Sequence, residues 1–119
     1  MTAKSIDYDL LNQMVALLED DFPIIVDTFI DSTYKIIALL QDLLKNQDSE
    51  EYALKIHGLK GSCGNMGAVY LAELCKRDES LSKTGKVDKI DPLLTDIKTE
   101  FEVVKTSLLA FKNSFNFEG

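Results

Sequence analysis

Apolar residues recur along the chain at intervals of three and four, the spacing of one face of an α-helix, and the pattern predicts five helices and no strands. The first runs from about Asp7, a suitable N-cap, through Leu10, Leu11, Met14, Val15 and Leu18. The second begins near Asp21 and Pro23 and continues to about Lys45 on a stripe of Val26, Phe29, Ile30, Ile37, Leu40 and Leu44, with Asn46-Gln47 ending it. The third opens on Asp48-Ser49-Glu50-Glu51, an acidic N-cap three residues before a glutamate as in a capping box, and runs to about Gly64. The fourth starts after Gly67 and reaches Thr84, where Gly85 is placed to be a left-handed closing residue. The fifth has Asp91 as its expected N-cap, Pro92 in its first turn and Ile90 positioned for a hydrophobic staple. Its stripe is Leu94, Ile97, Phe101, Val104, Leu108 and Phe111.

Four long helices joined by short turns are expected to pack as an antiparallel four-helix bundle, with the short N-terminal helix as a lid. The expected class is all-α, one domain over residues 1–119 with a bundle core of about 21–113. At 119 residues, 45% hydrophobic and 28% charged, a single core can form without a disulfide or a structural metal.

Composition narrows the chemistry. The net charge of −7 argues against binding nucleic acid or an anionic membrane surface, because both use lysine and arginine to meet phosphates. No run approaches a membrane span, and Met1-Thr2-Ala3-Lys4 is not followed by the apolar region of a signal peptide, so the expected location is the cytoplasm and the expected partners are proteins or small molecules. Cys63 and Cys75 are too few for a disulfide framework and lack metal-ligand spacing, so both are read as reduced, buried thiols. With one histidine, His57, chemistry that needs two imidazoles is excluded, which removes most zinc hydrolase designs.

Helical phase gives that histidine its meaning. In the third helix Tyr52, Ile56, Leu59, Cys63 and Met66 share one sector, the core face, while Ala53, Lys60, Gly61 and Gly64 lie within about 60° of His57 on the opposite side. An ordinary solvated face carries Glu, Lys and Gln; here it carries glycines, each costing about 1 kcal/mol of helix stability relative to alanine. Fraying before the Gly67 turn accounts for Gly64 better than for Gly61. Stripping side chains from around an exposed imidazole lets another protein approach it closely, and Lys60, one turn on, can place an ammonium against an anionic group on the ring. Residues 1–51 carry 3 bases and 11 acids, residues 52–89 carry 7 and 4, and residues 90–119 carry 3 and 5, so the histidine segment is locally positive at +3. Lys76, Arg77, Lys83, Lys86 and Lys89 are read mainly as solvating a helix end and a turn. No serine, cysteine or acid is visibly set to make His57 a triad base. A neutral imidazole nitrogen that attacks and carries a phosphoryl group, with Lys60 offsetting charge, fits the residues without a cofactor.

The segment His57-Gly58-Leu59-Lys60-Gly61-Ser62-Cys63-Gly64-Asn65-Met66-Gly67-Ala68, followed by Leu71-Ala72-Glu73-Leu74-Cys75, resembles the signature of histidine-containing phosphotransfer (HPt) domains of the free-standing bacterial type. The likeness extends to Asp20-Asp21-Phe22-Pro23 through Phe29-Ile30 and to the Phe101–Leu108 pattern. The family fold is a four-helix bundle. The resemblance implies that His57 accepts a phosphoryl group from the aspartyl phosphate of one receiver domain and passes it to the aspartate of another, in hybrid sensor kinases and response regulators. It assigns charge support to Lys60 and access to Gly61, and lets Ser62 support the helix end, while the stripped face adds Gly64 as a second access position. Mg²⁺ is expected in the receiver's acidic pocket, with no cofactor or metal on this chain. No glycine-rich nucleotide motif is present, so no kinase activity is expected, and the working unit is expected to be a monomer. The alternative reading is a non-catalytic docking adaptor for receiver or kinase domains. Two positions depart from the family pattern. Gly58 is a poor helix former beside the histidine, and Asp78 falls on the inward stripe of the fourth helix, which predicts either a turn or fraying there or a basic partner for Asp78.

Overall fold

In the computed structural model, which describes residues 4–85 and 89–115, the helical periods become α1 (Tyr8–Leu18), α2 (Phe22–Lys45), α3 (Ser49–Asn65), α4 (Val69–Lys83) and α5 (Ile90–Asn113). A single 3₁₀ turn, Glu19–Asp21, joins α1 to α2. Among the described residues there is no strand. Helices α2 to α5 form an antiparallel bundle in which each packs on the next and α5 closes back on α2.

Local chemistry explains most of the boundaries. Asp7 and Asp48 act as N-caps, their side chains accepting from the amides of Leu10 and Glu51 at 3.2 Å. The Glu51 carboxylate pairs with Lys55 one turn on, at 3.5 Å. Pro23 lies in the first turn of α2, where an amide would have no intrahelical acceptor. Asp21 directly precedes that helix but makes no side-chain cap bond. Thr84 ends α4, and Gly85 follows at φ 76° as the left-handed closing residue.

The start of α5 corrects the sequence reading. The cap is Lys89, and Ile90, Asp91 and Pro92 are already helical. An Asp-Pro pair fits the first turn as well as the boundary, because the carboxylate complements the helix dipole and the proline forfeits no hydrogen bond there. Ile90 therefore enters the helix itself and is buried, lining a small cleft with Leu43, Leu44 and Tyr52.

The N-terminal segment closes the end of the bundle at which α2 and α4 start and α3 and α5 finish. Asp7 donates its amide to the carbonyl of Gly67 at 2.8 Å, Val69 donates to Ser5 at 3.1 Å, and Ile6 and Leu11 are buried. Phe111 of α5 meets Tyr8 and Phe22 there, with ring centroids 5.8 Å apart in each case. Gly67, at φ 72°, lies so close to this strap that a β-carbon would stand 3.2 Å from the Asp7 carbonyl oxygen. The core faces match the stripes: Val26, Phe29, Ile30, Ile37 and Leu40 of α2, Tyr52, Ile56, Leu59 and Cys63 of α3, and Leu94, Ile97, Phe101, Val104 and Leu108 of α5 are buried. Leu44 and Phe111 are half-buried at the edges.

Asp78 is buried as its place on the stripe requires, and it is fully excluded from solvent. Helix α4 continues through it without a turn or fraying, and its partner is not basic: the Tyr52 hydroxyl donates to its Oδ2 at 2.9 Å. Burial pushes the Asp78 carboxyl up to about 7, against the lowering effect of the Tyr52 bond, and pushes the phenol of Tyr52 far above its ordinary range. Cys63 and Cys75 are free and buried. The Cys63 thiol, together with burial, drives the Cys75 thiol upward and keeps it protonated.

Candidate phosphoryl-acceptor site

His57 stands midway along α3 with its side chain 65% exposed, on the face turned away from Ile56 and Leu59. A β-carbon added at Gly58, Gly61 or Gly64 would meet nothing within 4 Å, so none of the three is demanded by packing inside the bundle. The imidazole rises from a surface left open around it. An open groove of about 570 Å³ runs beside the ring, between α3 and α4, bordered by Ala53, Leu54, Glu79, Ser82 and Lys83. Ser62 turns its hydroxyl back to the Leu59 carbonyl at 3.1 Å, within the last turns of α3.

The ring is not alone. The Glu79 carboxylate of α4 meets His57 Nδ1 at 2.8 Å through Oε2 and Lys60 Nζ at 2.7 Å through Oε1, and Lys83 Nζ lies 3.0 Å from the same Oε2. Glu79 itself is only 4% exposed. The Lys60 hydrogen bond, outweighing burial and joined by Lys83 and His57, holds its carboxyl down at about 2, so it is ionised at any physiological pH. An ionised carboxylate only accepts, so Nδ1 must carry the proton, and the lone pair of the neutral ring is left on Nε2. The site is therefore a fixed imidazole tautomer whose Nε2 is unbonded among the described residues, flanked by two ammonium groups.

This geometry amends two sequence readings. An acid is set against the histidine after all, on Nδ1, although among the described residues no serine or cysteine stands on the other nitrogen. Lys83 belongs to the site as well as to the helix end, whereas Lys86 lies outside the described residues. Glu79 was legible in principle: reflecting the α3–α4 hairpin about Gly67 carries His57, ten residues before it, onto Arg77, ten after, and Glu79 is two positions further. Lys60, Gly61 and Gly64 lie on the His57 face as the helical phase requires. Among the described residues no group of three or more His, Cys, Asp or Glu side chains is placed to hold a metal ion. No described helix is long and apolar enough to cross a membrane.

Comparison with known proteins bears on the fold and the family. The family model for the Hpt domain matches residues 24–107. No curated protein sequence matches the chain significantly. Among solved structures, histidine-containing phosphotransfer protein B from Pseudomonas aeruginosa PAO1 is similar over 97% of this chain and 100% of its own, with 26% identity and a TM-score of 0.91. A rice protein described as a histidine-containing phosphotransfer protein shares the fold over 88% of this chain and 79% of its own, at 20% identity and a TM-score of 0.80. The maize histidine-containing phosphotransfer protein ZmHP2 does so over 90% and 99%, at 22% identity and a TM-score of 0.75. A family match over most of the chain, together with a bundle superposable on these structures, places the chain in the Hpt domain family.

Proposed function

We propose that this Hpt-family chain serves as a phosphorelay intermediate in which His57 Nε2 is the phosphoryl carrier between receiver domains. The observation that carries the reading is the Nδ1–Glu79 contact at 2.8 Å, which leaves the Nε2 lone pair facing a surface cleared of side chains. In the forward step that lone pair attacks the phosphorus of a receiver's aspartyl phosphate. The Nε2–P bond forms as the bond from phosphorus to the aspartyl oxygen breaks, and the aspartate leaves with the electron pair. Nδ1 keeps its proton throughout, so the ring becomes cationic, and Glu79 is already in place to balance that charge. Delivery to a second receiver is the same exchange in reverse, with a carboxylate oxygen as the nucleophile. Lys60 and Lys83 supply positive charge beside the transferring oxygens, and Gly61 and Gly64 admit the partner's loops.

In this reading the chain spans a single working domain, acts as a cytoplasmic monomer away from membranes and nucleic acids, and has no autokinase activity. Its partners are receivers of hybrid kinases and response regulators, and the Mg²⁺ that positions an in-line transfer belongs to the receiver's acidic pocket. Incubation with a phosphorylated cognate receiver should label the protein with an acid-labile, base-stable phosphate, and His57→Gln should abolish the label. Retention of label by that variant would falsify the assignment, and absence of label in both proteins, with receiver binding intact, would identify a docking adaptor instead.

A further inference from the structure

Asp78 is a buried titratable residue that the transfer step does not use. It lies beside Glu79 in sequence, so the two side chains leave α4 about 100° apart, one into the core and the other into the seam with α3. Both find their partners on α3: Tyr52 for Asp78 at 2.9 Å, His57 and Lys60 for Glu79 at 2.8 and 2.7 Å. Tyr52 is 1% exposed and Asp78 not at all, and among the described residues Asp78 Oδ1 has no partner, so there the phenol on Oδ2 alone holds this carboxyl. A leucine there would bury more apolar surface without desolvating an acid. What it would not supply is direction. Apolar burial is non-directional, whereas a hydrogen bond between buried groups constrains both distance and angle. The tolerance at stake is small: at a side-chain radius of about 6 Å, a roll of about 20° moves the tip by ~2 Å, enough to break the Glu79 contact with the imidazole.

We infer that the Tyr52–Asp78 hydrogen bond is a positioning device for the acceptor: it fixes the roll of α4 against α3 and so keeps Glu79 on Nδ1 and the lone pair on Nε2. Tyr52 and Asp78 are positioning residues that act through Glu79 and touch neither the imidazole nor the phosphoryl group. The inference rests on His57 being the carrier, but its first test is independent of transfer. His57 is the only histidine in the chain, so the ¹⁵N signals of its ring report the tautomer without ambiguity.

The full-length protein is compared with Tyr52→Phe, Tyr52→Phe/Asp78→Leu, Asp78→Asn and, as the reference for a lost carboxylate, Glu79→Ala. The double variant removes the polar pair without orphaning either group, and Asp78→Asn keeps an acceptor for the phenol. The expected result is an Nδ1-protonated ring in wild type and Asp78→Asn. The two variants lacking the hydroxyl should shift toward the Glu79→Ala pattern and transfer phosphate about fivefold more slowly while showing a cooperative thermal transition. A folded double variant, or a folded Tyr52→Phe, with the wild-type tautomer and wild-type transfer rate would overturn the inference and make the pair a packing feature only. Failure of the carrier assignment would show separately, as label surviving in His57→Gln.

Discussion

Glu79 binds three donors with two oxygens, and each bond bears differently on transfer. The bond to Nδ1 sets the tautomer, the bond to Lys60 holds an ammonium near the ring, and the bond to Lys83 shares the oxygen that His57 uses. Removing the carboxylate therefore removes orientation and charge together. Glu79→Ala should slow phosphotransfer by about tenfold or more, the cost of losing a charge-assisted hydrogen bond at the reacting ring. Glu79→Gln still offers an acceptor to Nδ1 but no anion, and should fall between wild type and alanine. Rapid-quench transfer from a phosphorylated receiver measures both, and equal rates for the glutamine and alanine variants would mean that charge alone matters. At this scale His57 and Lys60 could be read from helical phase because an α-helix fixes which residues share a face. Glu79 could not be read so directly, because its place depends on the register between two helices, which packing and the Gly67 turn decide.

Helix α3 is a poor helix by composition, with glycines at 58, 61 and 64, and it is held by the burial of Tyr52, Ile56, Leu59 and Cys63 against its neighbours. Open space around Gly61 separates its two costs. Gly61→Ala should raise stability by up to about 1 kcal/mol in urea unfolding, because the methyl group meets nothing and the helix gains propensity. In the proposed role, where this space admits the partner, the same change should slow transfer, and a larger residue should slow it further. Gly67 should behave oppositely. Its left-handed φ and the Asp7 carbonyl at 3.2 Å make Gly67→Ala destabilising by about 1–2 kcal/mol, with the N-terminal strap the first part to lose amide-exchange protection. The contrast also explains what was legible among the elements. Periodicity marks five helices because each stripe buries, and Gly85 marks a stop because its φ requires glycine. The Asp91-Pro92 pair misplaced the start of α5, since the same residues suit the cap and the first turn. The polar seam of α4 was harder still: Asp78, Glu79 and Ser82 are all buried, against the expectation that such residues face solvent.

For the molecule as a whole, the formal −7 is less informative than how the charges are paired. Within the +3 segment around the histidine, Lys60 and Lys83 converge on Glu79, while Lys55 and Arg77 pair with Glu51 and Glu73 along their own helices. Two consecutive acids then pull the stability curve in opposite directions. Glu79 is held down at about 2 in the fold against 4.5 as its ordinary value, so its contribution is present above pH 4.5 and is lost as pH falls toward 2. Asp78 is raised from 3.8 to about 7, so the folded state binds the extra proton, and stability declines as pH rises from about 4 to about 7. The decline has a limiting slope of about 1.4 kcal/mol per pH unit for one fully coupled proton. Taken together, these two groups place the maximum near pH 4–5. Asp78→Asn keeps the Tyr52 hydrogen bond and has no proton to lose, so urea unfolding across pH 4 to 8 should lose most of the downward slope while the acid limb, set by Glu79, remains. A variant with the wild-type slope would show that Asp78 is not the group that titrates.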